Sequence, residues 1–235
     1  MDLNLLSAGA AKGLAQALQA PFHAETGAGI SGTFGAVGTI REQFLANAPC
    51  DVLILTEAML TELAGKGATV GGSIAPLGRV FTGIAVRSGD PRPAIGDRAA
   101  LRETLAAATA LYCPDPERAT AGIHFVKVLG ELGLWPDAAS RLRSYPSGAV
   151  AMGELARAKE PGLVGCTQVT EILYTPGVTL VGPLPVEFEL ATVYSAAVSS
   201  RARHPELARR LVEMLAGPTA ARLRAAGGFA PVVKR

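Results

Sequence analysis

Three stretches set a run of small residues between an apolar segment and a helical one: SAGAAKG at 7–13, FGAVGT at 34–39 and PERATAG at 116–122. A helix start leaves backbone N–H groups without acceptors and carries partial positive charge, and Ser, Thr, Asp or Asn usually closes it. Here Ala8, Gly9 and Ala10, then Gly35, Ala36, Val37 and Gly38, then Ala119 and Ala121 offer no such side chain. Their bare N–H groups suit a small anion. Small residues also permit tight strand-to-helix turns, so a single stretch is ambiguous; three at successive strand ends point to a site. Beside them stand Ser7, Lys12, Thr39 and Arg41, Thr56 at the end of DVLILT, and Glu117, Arg118 and Thr120. In GCTQVTE, 165–171, Gln168 and Thr170 can donate hydrogen bonds. Glu171 donates only when protonated, so in a binding site it would hold a cation or move protons.

Other chemistries find no support. His23, His124 and His204 share no spacing that suggests a metal site or a catalytic triad. His124 fits packing or capping near the start of a helix. Cys50, Cys113 and Cys166 are odd in number, widely spaced and read as buried apolar residues. No G-x-S-x-G elbow, P-loop or dinucleotide fingerprint occurs, and no metal or cofactor is expected.

The elements that must position these residues follow from the pattern of apolar positions. LNLLSA (3–8), ISGTFG (30–35) and DVLILT (51–56) read as strands, each followed by a helical pattern: AKGLAQALQAPFHAETG (11–27), TIREQFLANA (39–48) and EAMLTELAGKG (57–67). Alternating strand and helix predicts a parallel sheet flanked by helices. RVFTGIAVRSG (79–89) alternates as a long strand and leads past a Pro-rich loop to the helix RAALRETLAAAT (98–109). A strand, loop and helix at 110–134, a helix at 147–160, and strands at GLVGCTQ and VTLVGPLP follow, with Thr167, Gln168, Thr170 and Glu171 placed at the end of the first of these strands. A second long strand, ELATVYSAAVSS (189–200), precedes two helices, HPELARRLVEMLAG and PTAARLRAAG. Two long strands imply an α/β chain of two lobes crossed twice: residues 1–80 with 192–235, and residues 81–191.

Composition narrows the partners. The 235 residues carry 22 basic and 20 acidic side chains in a scattered pattern, without the basic stripe of a nucleic-acid binder. No apolar run approaches the ~20 residues of a membrane span, so neither nucleic acid nor membrane insertion is expected. The first residues lack the parts of a secretory leader. The chain therefore reads as cytoplasmic as written, or periplasmic where a signal peptide has been removed.

LSAGAAKGL, the helix entry followed by APCDVLILT, PDPERATAGIH, GCTQVTEI and the closing LAGPTAARLRAAGGF together resemble the molybdate-binding type of solute-binding protein, over nearly the whole chain. The resemblance implies the type II periplasmic-binding fold: two lobes of mostly parallel sheet, two crossing strands, and an anion held in the cleft between lobes by backbone amides and hydroxyls. It brings Gln168 and Thr170 toward the ligand, and Tyr194 near the place of a ligand-touching tyrosine. Family members that bind molybdate have serines in the first two loops, where Ala10 and the pair Ala36-Val37 stand here. Lys12, Arg41 and Arg118 instead suit carboxylates, which a guanidinium grips with two parallel bonds. The expectation is a receptor for a small oxyanion or, by preference, a di- or tricarboxylate, with an ABC permease as partner if the protein is exported. The group also includes aconitate isomerases, and in that reading Glu171, Glu117 or Lys12 carries the proton.

Overall fold

The computed structural model describes residues 2–232; residue 1 and residues 233–235, which the sequence reading assigned to the first lobe, lie outside the described residues. The chain divides into two compact units, one made of the residues up to Val80 and from Thr192 onward, the other of Phe81–Ala191.

The first unit opens with β1 (Asp2–Ala8), α1 (Lys12–Ala17), α2 (Gln19–Thr26), β2 (Gly29–Gly35), α3 (Val37–Leu45), β3 (Val52–Thr56) and α4 (Glu57–Gly65). Strand β4 (Ala75–Arg87) leaves it at Val80. The second unit continues with α5 (Arg98–Ala107), β5 (Ala110–Pro114), α6 (Thr120–Glu131), β6 (Leu142–Tyr145), α7 (Gly148–Arg157), β7 (Leu163–Gln168), α8 (Val169–Tyr174) and β8 (Val178–Pro183). Strand β9 (Ala191–Val198) returns to the first unit, which ends with α9 (Pro205–Ala216) and α10 (Ala221–Ala226).

In the first unit the sheet runs β2-β1-β3-β9, with β1 parallel to both neighbours and β9 antiparallel to β3. The run Val52–Leu55 is fully buried, as a central strand covered on both faces requires. Leu5, Phe22, Ile40, Phe44, Leu60 and Leu211 belong to the core packed on it. The single helix expected at 11–27 is two. Pro21 has no N–H for the Ala17 carbonyl that a continuous helix would pair with it, so the chain breaks at Leu18 and restarts. Gly27, at φ 72°, ends α2 in the left-handed conformation.

In the second unit β4, β7, β5 and β6 lie side by side, with β8 added on β4; β5 is parallel to β6 and β7, whereas β4 runs antiparallel to β7 and β8. Its two faces carry separate cores. Ile84, Cys113, Phe125, Val164 and Cys166 lie in one, with α5 and α6; Ala85, Tyr112, Met152, Leu155 and Leu163 lie in the other, with α7. All three cysteines are free and buried.

Two further elements differ from the sequence reading. Residues 169–174 form helix α8, so Thr170 and Glu171 stand on a helix rather than at the end of a strand. The β-branched and aromatic content of VTEILY favours a strand, and tertiary context overrides it. Strand β6 was not anticipated, because Leu142–Tyr145 is short, mostly polar and half-exposed, as befits an edge strand. No described helix is long and apolar enough to cross a membrane.

Candidate functional site

The parallel strands of the first unit bring their carboxyl ends to one edge, where Ala8 pairs with Gly35 and Thr56 with Tyr194. Past β1, Gly9, Ala10 and Ala11 form a buried 3-10 turn, and Lys12, half-buried, opens α1. Ser7 is fully buried and donates its hydroxyl to the Ala8 carbonyl at 2.9 Å. Past β2 the N-cap of α3 is Ala36, and the first bond of the helix runs from Ile40 N–H to Ala36 O at 3.0 Å. Helix geometry therefore leaves Val37, Gly38 and Thr39 N–H without intrahelical acceptors, and alanine has no side chain to supply one. The start of α4 is closed in the ordinary way, Thr56 Oγ1 accepting from Met59 N–H at 3.3 Å. Tyr194 is buried beside it. Arg41 Nη2 reaches Glu62 on α4 at 2.8 Å in a pair exposed to solvent, while its Nε is buried without a partner among the described residues.

The second unit repeats the arrangement with one difference that matters. Helix α6 starts after Ala119, again without a side-chain cap, so Thr120, Ala121 and Gly122 N–H are left open. Asp115 shapes the turn before it, accepting from Glu117 and Arg118 N–H at 2.8 and 3.1 Å, with both of those residues exposed. Gly122 lets the helix start against the end of β5, since a Cβ there would lie 2.3 Å from Asp115 O.

Helices α7 and α8, by contrast, are closed by one carboxylate. Glu171 occupies the third position of α8, where its side chain reaches back to the N–H of the N-cap residue Gln168 and also takes Gly148 and Ala149 N–H at the start of α7. Thr167 Oγ1 donates to Glu171 Oε2 at 2.6 Å. Ser147 adds a cap of its own, accepting from Val150 N–H at 3.3 Å. Burial pushes the Glu171 carboxyl above the usual range, and these bonds offset the rise only in part. Gly148 is the residue that permits the approach: a Cβ there would lie 1.9 Å from Thr167 Oγ1 and 2.0 Å from Glu171 Oε2.

Strand alternation separates this closed corner from an open one. Thr167 lies on the α7 face of the sheet, and Gln168 on the opposite face, that of Val164, Cys166 and α6. Thr82 is the register partner of Gln168 and shares that face. Both are buried, and Gln168 Nε2, Gln168 Oε1, Thr82 Oγ1 and Thr170 Oγ1 have no hydrogen-bond partner among the described residues. The free tip of α6 and the unsatisfied side chains of Gln168 and Thr82 therefore belong to one face at the carboxyl edge, with Thr170 two residues further on in α8.

Of the residues singled out from the sequence, the first unit gathers Ala8, Gly9, Ala10, Gly35, Ala36, Val37, Thr56 and Tyr194 at its carboxyl edge. The second gathers Arg118, Ala119, Thr120, Ala121, Gln168 and Thr170 at its own. Glu117 and Glu171 do not form a pair, since one is exposed in a turn and the other buried under α7. His124 Nε2 lies 2.7 Å from Phe188 O and is held by the backbone. Thr82 was missed, although the sequence held a signal: along Val80, Thr82, Ile84 and Val86 it is the lone hydroxyl on a strand face that is otherwise apolar. A groove of about 610 Å³ near Pro91, Pro93, Ala100 and Leu163 lies at the start of β7, the edge opposite to these groups, and is lined mainly by apolar side chains.

The family model of bacterial extracellular solute-binding proteins matches residues 3–230. A protein named aconitate isomerase, from a Pseudomonas species, is 30% identical over 194 residues, 82% of this chain and 72% of the relative. Among solved structures, the periplasmic molybdate-binding protein of Azotobacter vinelandii superposes with a TM-score of 0.79 at 20% identity, covering 99% of this chain and 100% of that one. The sulfate-binding protein SubI of Mycobacterium tuberculosis H37Rv gives 0.75 at 19% identity, covering 99% and 87%. These likenesses carry the type II periplasmic-binding fold.

Proposed function

We propose that this chain, which belongs to the bacterial extracellular solute-binding protein family, binds a small di- or tricarboxylate through the open helix tips at the carboxyl edges of its sheets. The observation that carries the reading is the contrast among helix starts. Thr56 and Glu171 close α4, α7 and α8, whereas α3 and α6 begin after Ala36 and Ala119 with their first N–H groups open. Aligned N–H groups and the helix dipole favour a negative guest. A carboxylate is preferred over a tetrahedral oxyanion because Ala10 and Ala36 remove hydroxyl donors that such a guest would use, and because the relative of 30% identity is named for a tricarboxylate. Lys12, Thr39, Arg41 and Arg118 add donors near the tips. Release of Arg41 from Glu62 would cost little, since exposed pairs contribute about 0–1 kcal/mol. In an exported form the bound state would be read by an ABC permease.

A thermal-shift and titration series with citrate, cis- and trans-aconitate, succinate, molybdate and sulfate tests this. A carboxylate present at a hundredfold excess over its Kd adds about 2.7 kcal/mol to folded-state stability. Stabilisation by molybdate or sulfate alone would refute the carboxylate reading.

The same relative favours a second reading, an isomerase that moves a proton along a bound tricarboxylate. Glu171 already serves two helix starts, so the proton carrier in this reading is Lys12 or Glu117. Purified protein should then change the ultraviolet absorbance of trans-aconitate; Glu117→Gln should abolish the change while sparing binding if Glu117 carries the proton, and Lys12→Ala should abolish it and weaken binding as well if Lys12 does. A flat trace at high protein concentration eliminates the enzyme and leaves the receptor.

A further inference from the structure

The unsatisfied groups beside α6 deepen the carboxylate reading, and the specificity drawn from them rests on that reading. Gln168 is 3% exposed and both atoms of its amide lack partners among the described residues, as do the hydroxyls of Thr82 (1%) and Thr170 (4%). Thr82 and Gln168 sit opposite each other in the β4–β7 ladder, on the face over which the twelve-residue α6 begins without a cap. Such a set differs in kind from an oxyanion site. An amide presents a donor and an acceptor side by side, and an acceptor-only group can satisfy Nε2 but faces Oε1 with like polarity. The N–H of Gln168 itself is already taken by the Glu171 side chain, so the amide and the hydroxyls are the polar groups left over. A neutral group that both donates and accepts can satisfy the two atoms of the amide at once.

We infer that Gln168, Thr82 and Thr170 recognise a hydroxyl on the ligand, and that the preferred ligand is a hydroxycarboxylate whose ionised carboxylate lies at the tip of α6. The hydroxyl donates to Gln168 Oε1 and accepts from Nε2 or a threonine. Gln168 is then the residue that sets specificity.

The test is isothermal titration of the full chain with two matched pairs that differ by one hydroxyl: citrate against tricarballylate, and malate against succinate. The expected result is tighter binding of the hydroxylated member by tenfold or more in at least one pair. Gln168→Met, close in volume and without the amide, should bring that member down to the level of its partner while leaving the partner within threefold. Should Gln168→Met fail to fold, Thr82→Val makes the same comparison. Carboxylates that bind with the two members of both pairs within threefold would overturn this inference and leave the proposed function standing, the amide then being hydrated internally. No binding of any carboxylate would remove the proposed function and this inference together.

Discussion

Glu171 shows how far one residue's role depends on its neighbours. By type it is a candidate proton carrier; in place it is a clamp, holding two helix starts with one side chain. The clamp works only because Gly148 leaves room. Gly148→Ala sets a methyl inside the space of Thr167 and Glu171, and overpacking of this kind costs about 1–3 kcal/mol. Urea unfolding should register that loss. A neutral substitution would mean that the carboxylate does not lie against α7. GCTQVTE already announced an unusual density of polar groups. That Thr167 serves Glu171 while Gln168 faces the other way follows from the strand's period of two once the strand is known to end at Gln168.

Among the strands and helices, the sequence told more. Apolar runs bounded by small residues located β1, β2 and β3, and the missing caps of α3 and α6 were legible because alanine and glycine have no atoms to cap with. The break at Leu18 was legible too, in Pro21, had its distance to Ala17 been counted. Helix α8 was not, because six residues of strand-favouring composition are overruled by packing, with Ile172 buried in the α7 core. The open tip of α3 yields a paired expectation. Ala36→Asp supplies the absent cap and stabilises the protein by about 0.5–2 kcal/mol. The same carboxylate occupies the N–H groups proposed for the ligand, so affinity for citrate or aconitate should fall at least tenfold. Stabilisation without loss of affinity would show that the anion lies elsewhere.

Across the protein, two buried carboxyls shape stability against pH with opposite sign. Burial works against the charge of Asp51, but N–H groups of Asn4, Arg203 and His204 and the Asn4 amide outweigh it and hold its pKa below the usual range. The stability Asp51 contributes is thus full above about pH 3.9, the ordinary aspartate value, and is lost as pH falls through its folded-state pKa. Glu171 is raised, so the folded protein keeps a proton that the unfolded chain has released. Stability falls as pH rises from about 4.3, the ordinary glutamate value, through its folded-state pKa. Unfolding free energies measured as a function of pH through the acid and neutral range should show both arms. Glu171→Gln should flatten the upper arm alone and Asp51→Asn the lower one alone; an upper arm unchanged by Glu171→Gln would contradict the assignment.

Order along the chain was enough to establish alternating strands and helices, an α/β class and bare helix starts, since these depend on the period of apolar residues and on which side chains can cap. Which starts stay open was decided by the tertiary structure, because the carboxylate that closes α7 comes from a residue 23 positions later on α8. Thr82 likewise meets Gln168 only through the β4–β7 ladder. Contacts between residues distant in sequence carry no local signature, so the orphan groups that single out one corner of the second unit became visible only when the strands were paired.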